Sequence, residues 1–232
     1  VTILTCVSMY LYSICIRNFI GLTKQEEMAI FNVINSKAKG LPSSLTDFHE
    51  SKLLADLETV RPELYLAIKL NDDAKSPWYK QLDLGGNNTS GMQRRASLRT
   101  LQKAVRKFLT QTNILKMYSS ERTYEVILAY WVSVKGLLEE EWNTPRKNMV
   151  NKGIGVYSLM ILGAILFNES LHNKEDNWHV IFRGKLADFI NDFDWSNTGP
   201  LKGLGGESGV TQAVTLLTEL RRKHRLRVVS NA

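Results

Sequence analysis

Cysteine is nearly missing from this sequence: 232 residues hold two, Cys6 and Cys15. Two thiols make no disulfide framework, and a chain of this length buries a core without staples, so a reducing compartment is expected. Neither thiol has a histidine near it in sequence, and buried packing is their expected role. With five prolines and fifteen glycines, there is no collagen-like, low-complexity or long flexible-linker segment. Charge is absent from residues 1–16, but Thr2, Thr5, Ser8, Tyr10, Tyr12 and Ser13 dilute that run and Arg17 ends it. It falls short of the roughly 20 apolar residues of a membrane span, and it lacks the basic leader of a signal peptide. A buried strand or helix of the core is the expectation there.

Motifs of common chemistry are missing too. The glycine-rich run from Gly203 to Gly209 lacks the Lys-Ser/Thr ending of a phosphate loop, although its place before a helix permits anion contact at a helix N-terminus. No Ser-His-Asp or Cys-His spacing stands out, and no catalytic residue is assigned. His49, His172, His179 and His224 are scattered. Even the seven-residue step from His172 to His179 lacks the tight spacing of a metal site, so no metal is expected. Glu139, Glu140 and Glu141 read as a solvated acidic cluster, because catalytic carboxylates need burial to tune them.

What is present is ordinary globular material, 44% hydrophobic and 23% charged. Thr23 followed by Glu26 forms a capping box, and Met28, Ile30, Phe31, Val33 and Ile34 recur at helical spacing until Asn35. A basic loop at 36–42 follows, then helices over roughly 45–57 and 61–71. Ser76-Pro77 breaks the pattern, and the alternation from Trp78 to Leu84 predicts a strand closed by the Gly85-Gly86-Asn87-Asn88 turn. Helices are expected over about 97–110, 121–141, 154–168, 178–191 and 210–224. The predicted fold is α+β but predominantly helical: a small mixed front half over 1–115 and an all-helical back half over 116–232.

Thirty Lys and Arg face 23 Asp and Glu, a net charge of +7, and the excess is not spread evenly. Residues 87–120 contain no acid, yet include Arg94, Arg95, Arg99, Lys103, Arg106, Lys107 and Lys116. On a helix starting near Ser97, the apolar stripe takes Leu98, Leu101, Val105, Phe108 and Leu109. Arg95, Arg99, Lys103 and Arg106 fall on another face, in a row suited to successive phosphates. A solvated helix face is the alternative. A second basic run, with Arg221, Arg222, Lys223, Arg225 and Arg227, reads as an assisting arm or a solubilising tail.

Several segments together resemble the DGQHR-domain family, which is similar to ParB and sulfiredoxin-like proteins. They are Phe31-Asn32-Val33-Ile34-Asn35 with its basic loop, Leu70-Asn71-Asp72 with Ser76-Pro77-Trp78-Tyr79, and Lys152-Gly153-Ile154-Gly155 opening an apolar helix. Trp195 with the glycine-rich loop and final helix completes the set, in family order over about residues 20–224. The Asp-Gly-Gln-His-Arg motif itself is absent, and the expectation is a member truncated at its N-terminus. The resemblance implies DNA association in the cytoplasm of a bacterium, at a DNA-modification or defence locus of the phosphorothioation kind. For some relatives it implies ATP binding or hydrolysis. Self-association is a further expected partnership, and a membrane is not. Asn35 carries over as a ligand candidate, with Lys37 and Lys39 supplying charge; a helix C-cap is the other role open to Asn35. Ser76, Pro77 and Trp78 are expected to form a turn with an aromatic anchor, and Gly153 and Gly155 to allow close helix packing. The expected readings are a DNA-associated regulatory protein, a nucleotide hydrolase or nuclease, or an inactive interaction domain.

Overall fold

A computed structural model describes residues 2–9, 12–19, 21–37, 43–85, 96–172 and 175–230, with backbone alone for 2–9, 12–19, 32, 34–37 and 227–230. The uncharged start forms two antiparallel strands, β1 (Thr2–Met9) and β2 (Tyr12–Phe19), whose register sets Cys6 opposite Cys15. The strand expectation holds for the backbone; its burial lies outside the described residues.

Helix α1 (Lys24–Lys37) opens on the capping box: Thr23 N–H donates to Glu26 Oε2 at 2.8 Å, and Glu26 N–H donates back to Thr23 Oγ1 at 3.3 Å. It runs through Lys37, so Asn35 lies inside its last turn and is not the C-cap. Helices α2 (Ser43–Leu53), α3 (Leu57–Val60) and α4 (Pro62–Asp72) follow, the last opened by a proline whose missing N–H costs nothing there.

The strand expected over Trp78 to Leu84 is corrected. Only Leu82–Asp83 (β3) pairs, in parallel with Ala96–Ser97 (β4). The backbone before it is committed to turns: Tyr79 N–H donates to Ser76 O, Lys80 N–H to Asn71 O and Gln81 N–H to Trp78 O, with Lys80 at φ 52°. Ser76 Oγ accepts from Trp78 N–H at 3.1 Å, and Trp78 is wholly buried against Trp131 and Trp142, with ring centroids 5.0 and 4.9 Å away. The Ser-Pro-Trp segment is thus a turn carrying an aromatic anchor.

From Leu98 onward the structure is helical, much as the periodicity predicts. Ser97 caps α5 (Leu98–Thr112) by accepting from Thr100 N–H, and Asn113 ends it in the left-handed region at φ 51°. Ser119 caps α6 (Ser120–Leu137) in the same way, and the short α7 (Glu139–Asn143) carries the acidic cluster. Helix α8 (Gly153–Asn168) is apolar nearly all round and therefore lies at the centre, packed by α5, α9 (Trp178–Ala187) and α10 (Gly206–Ser230). Gly155 is needed there, since a Cβ would stand 2.0 Å from the carbonyl oxygen of Met149. Gly153 has no such neighbour: the nearest atom to an added Cβ would be 4.0 Å away. One buried cluster runs from Leu57 to Leu217, so a division near residue 115 does not divide the core. Among the described residues no helix is long and apolar enough to cross a membrane.

Candidate anion-binding cleft

Helix α5 buries Leu98, Leu101, Ala104, Val105 and Phe108 and turns its cations outward, as the stripe predicts. Those cations do not form one free row. Arg99 Nη1 reaches both carboxylate oxygens of Asp47 at 2.9 Å, and Asp47 is a buried residue of α2. Arg106 Nη2 bonds Glu63 Oε1 at 2.5 Å; Arg61 Nε and Gln102 Nε2 each donate to the same oxygen at 3.3 Å. Burial works against the charge of Glu63, but the hydrogen bond and charge of Arg106 outweigh it, and its carboxyl lies below the ordinary value. Lys107 Nζ pairs with Glu207 Oε2 at 2.7 Å. Lys103 is exposed and has no partner among the described residues.

Lys103, Arg106 and Lys107 nevertheless line one wall of a cavity of about 590 Å³. Gly153 and Ile154, the first residues of α8, line a second side, and Gly205, Gly206 and Glu207 at the start of α10 line a third. The start of α8 has no side-chain cap, leaving first-turn N–H groups without such an acceptor. Each helix start also adds about half a positive charge. Gly206 enters α10 at φ 63°, which a side chain would disfavour, and a Cβ there or at Gly205 would meet nothing within 4 Å. Tyr157, Leu204 and Val210 complete an apolar floor. Burial and the nearby Glu207 raise the Tyr157 phenol above its ordinary value, so it stays a donor, and its hydroxyl has no partner among the described residues.

The other candidates fall elsewhere. Arg94, Arg95 and Lys39 lie outside the described residues, as do the side chains of Asn35 and Lys37. The expected basic arm is instead the C-terminal half of α10. Arg221 is a packing residue there, 7% exposed and held on Glu169 by Nη1–Oε1 and Nη2–Oε2 bonds of 2.8 and 2.6 Å. Arg225 and Lys185 also reach Glu169, and His224 Nε2 lies 3.1 Å from Asp192. Arg222 and Lys223 are exposed without a partner among the described residues. Among the described residues no group of three or more His, Cys, Asp or Glu is placed to hold a metal ion.

Spacing found the cations and the glycine-rich helix start separately. It missed Tyr157 and Glu207, whose only signal was their closeness to the two glycine-opened helices. Comparison of the chain with family models, with curated proteins and with solved structures finds no match.

Proposed function

We propose that this chain is a DNA-associated regulatory or accessory protein of a bacterial DNA-modification or defence locus, gripping phosphates at the α5–α8–α10 cleft. The observation that carries the phosphate chemistry is the convergence of Lys103, Arg106 and Lys107 with the uncapped start of α8 and the glycine-rich start of α10 on one cavity. The ordered resemblance to DGQHR-domain proteins supports the choice of DNA and of the locus. Compared with the sequence expectation, the contact narrows to the cleft, where Lys103 has no partner among the described residues and Lys107 is held by the exposed Glu207, whereas Arg99, Arg106 and Arg221 are engaged with buried or half-buried carboxylates.

ATP hydrolysis is the second reading, favoured by a cavity of mononucleotide size. Among the described residues Glu207 is the one carboxylate in its lining, and it is already paired with Lys107, so no positioned base stands among them.

Fluorescence anisotropy of labelled duplex DNA, titrated across salt, tests the first reading. Lys103 and Lys107 predict a log–log salt slope of roughly −2, at about 0.9 per neutralised phosphate. Lys103→Ala should lower that slope by about one. Binding that ignores salt, or that is the same in Lys103→Ala and Lys107→Ala, would overturn it.

A further inference from the structure

The cleft is more positive than one internal phosphodiester requires. Lys103, Arg106 and Lys107 face it with two helix starts, against the carboxylates of Glu207 and Glu63. Counting about half a charge for each helix start leaves on the order of two positive charges. A phosphodiester brings one negative charge, whereas a phosphate monoester carries about −1.5 to −2 near neutral pH. The shape agrees with the charge. The site is a recess of about 590 Å³ with an apolar floor, and the Tyr157 ring lies beside the cations. A phosphate with its attached sugar and base fits such a recess, whereas an internal phosphate of a duplex reaches its cations with the single charge of a diester.

The lining also contains an internal anion. Glu207 sits in the first turn of α10 and holds Lys107 at 2.7 Å, yet its side chain is 83% exposed. An ion pair this open is weakly held, and a phosphate that arrives with more charge displaces the carboxylate from Lys107.

From these observations, and resting on the reading of the cleft as a phosphate-gripping site, we infer that it takes a phosphate monoester, the phosphate of a free nucleotide or of a strand end, with Glu207 as its resident competitor. Lys103 and Lys107 hold the phosphate oxygens, Arg106 adds charge while keeping Glu63, and Tyr157 donates its hydroxyl.

Competition binding on the full chain distinguishes the sources, using AMP, adenosine, and one duplex with either a 5′-phosphate or a 5′-hydroxyl. Binding of the 5′-phosphorylated duplex on the order of ten-fold tighter than the 5′-hydroxyl form supports a strand end, since one charge-assisted contact is worth about that factor. AMP binding where adenosine does not supports a free nucleotide. In either case Lys103→Ala should erase the difference with an unchanged melting temperature, because Lys103 is exposed and unpaired among the described residues. Glu207→Gln should tighten binding of whichever phosphate is preferred by several-fold. Equal binding of both duplexes together with no AMP binding overturns the inference while leaving DNA association standing. AMP binding with no DNA binding supports the inference and overturns the DNA reading. A Glu207→Gln protein that binds less tightly overturns the competitor role.

Discussion

Glu169 shows how one carboxylate settles the fate of a basic run. The hydrogen bonds of Arg221 are the main reason its carboxyl falls to a pKa of about 2, helped by the charges of Arg221, Lys185 and Arg225 and opposed by partial burial. A folded pKa below the ordinary 4.5 means the stabilisation is complete above that value and is lost as pH falls towards 2. Acid titration of the melting temperature should therefore show a steeper loss between those pH values in the wild type than in Glu169→Gln, which starts less stable and loses less. Arg221→Ala should cost roughly 1.5–3 kcal/mol by chemical denaturation, the range of a hydrogen bond to a charged group. A cost near zero would return Arg221 to the list of surface cations.

At the scale of elements, helices were legible wherever a cap and a stripe agreed. Thr23 with Glu26, and Ser97, each sit where a helix begins, and their bonds are made within three residues. The alternation from Trp78 to Leu84 does not become a strand because the backbone there is committed to turn hydrogen bonds, and burial runs from Trp78 out to Lys80 and back to Leu82 instead of alternating. The two glycines of the Lys-Gly-Ile-Gly opening look alike in sequence and differ in space. Gly155→Ala should destabilise by more than the 1–3 kcal/mol of ordinary overpacking, since its neighbours are backbone carbonyls that cannot turn aside. Gly153→Ala should stay within about 0.5 kcal/mol. Equal effects in denaturant titrations would show that the tight approach at Met149 is not a constraint.

Across the whole molecule, the core joins the two halves that composition had separated. Trp78 comes from the front half, and Trp131, Trp142, Trp178 and Trp195 from the back, all in one buried cluster. Thermal unfolding should accordingly be a single transition, with tryptophan fluorescence and far-ultraviolet circular dichroism sharing one midpoint. Two resolved midpoints would mean that the halves fold separately in spite of their shared core.

Helical content, element order and the amphipathic α5 were determined by the sequence itself, because caps and 3.6-residue periodicity act over a few neighbouring residues. Which cations remain available was decided only by the tertiary structure. Arg99 meets Asp47 across 52 residues, Arg106 meets Glu63 across 43, Lys107 meets Glu207 across 100, and Arg221 meets Glu169 across 52. A charge reads as free until its partner is known, and partners so distant leave no local pattern. The cleft arose in the same way, from two glycine-opened helices and one basic face that only the packing around α8 brought together.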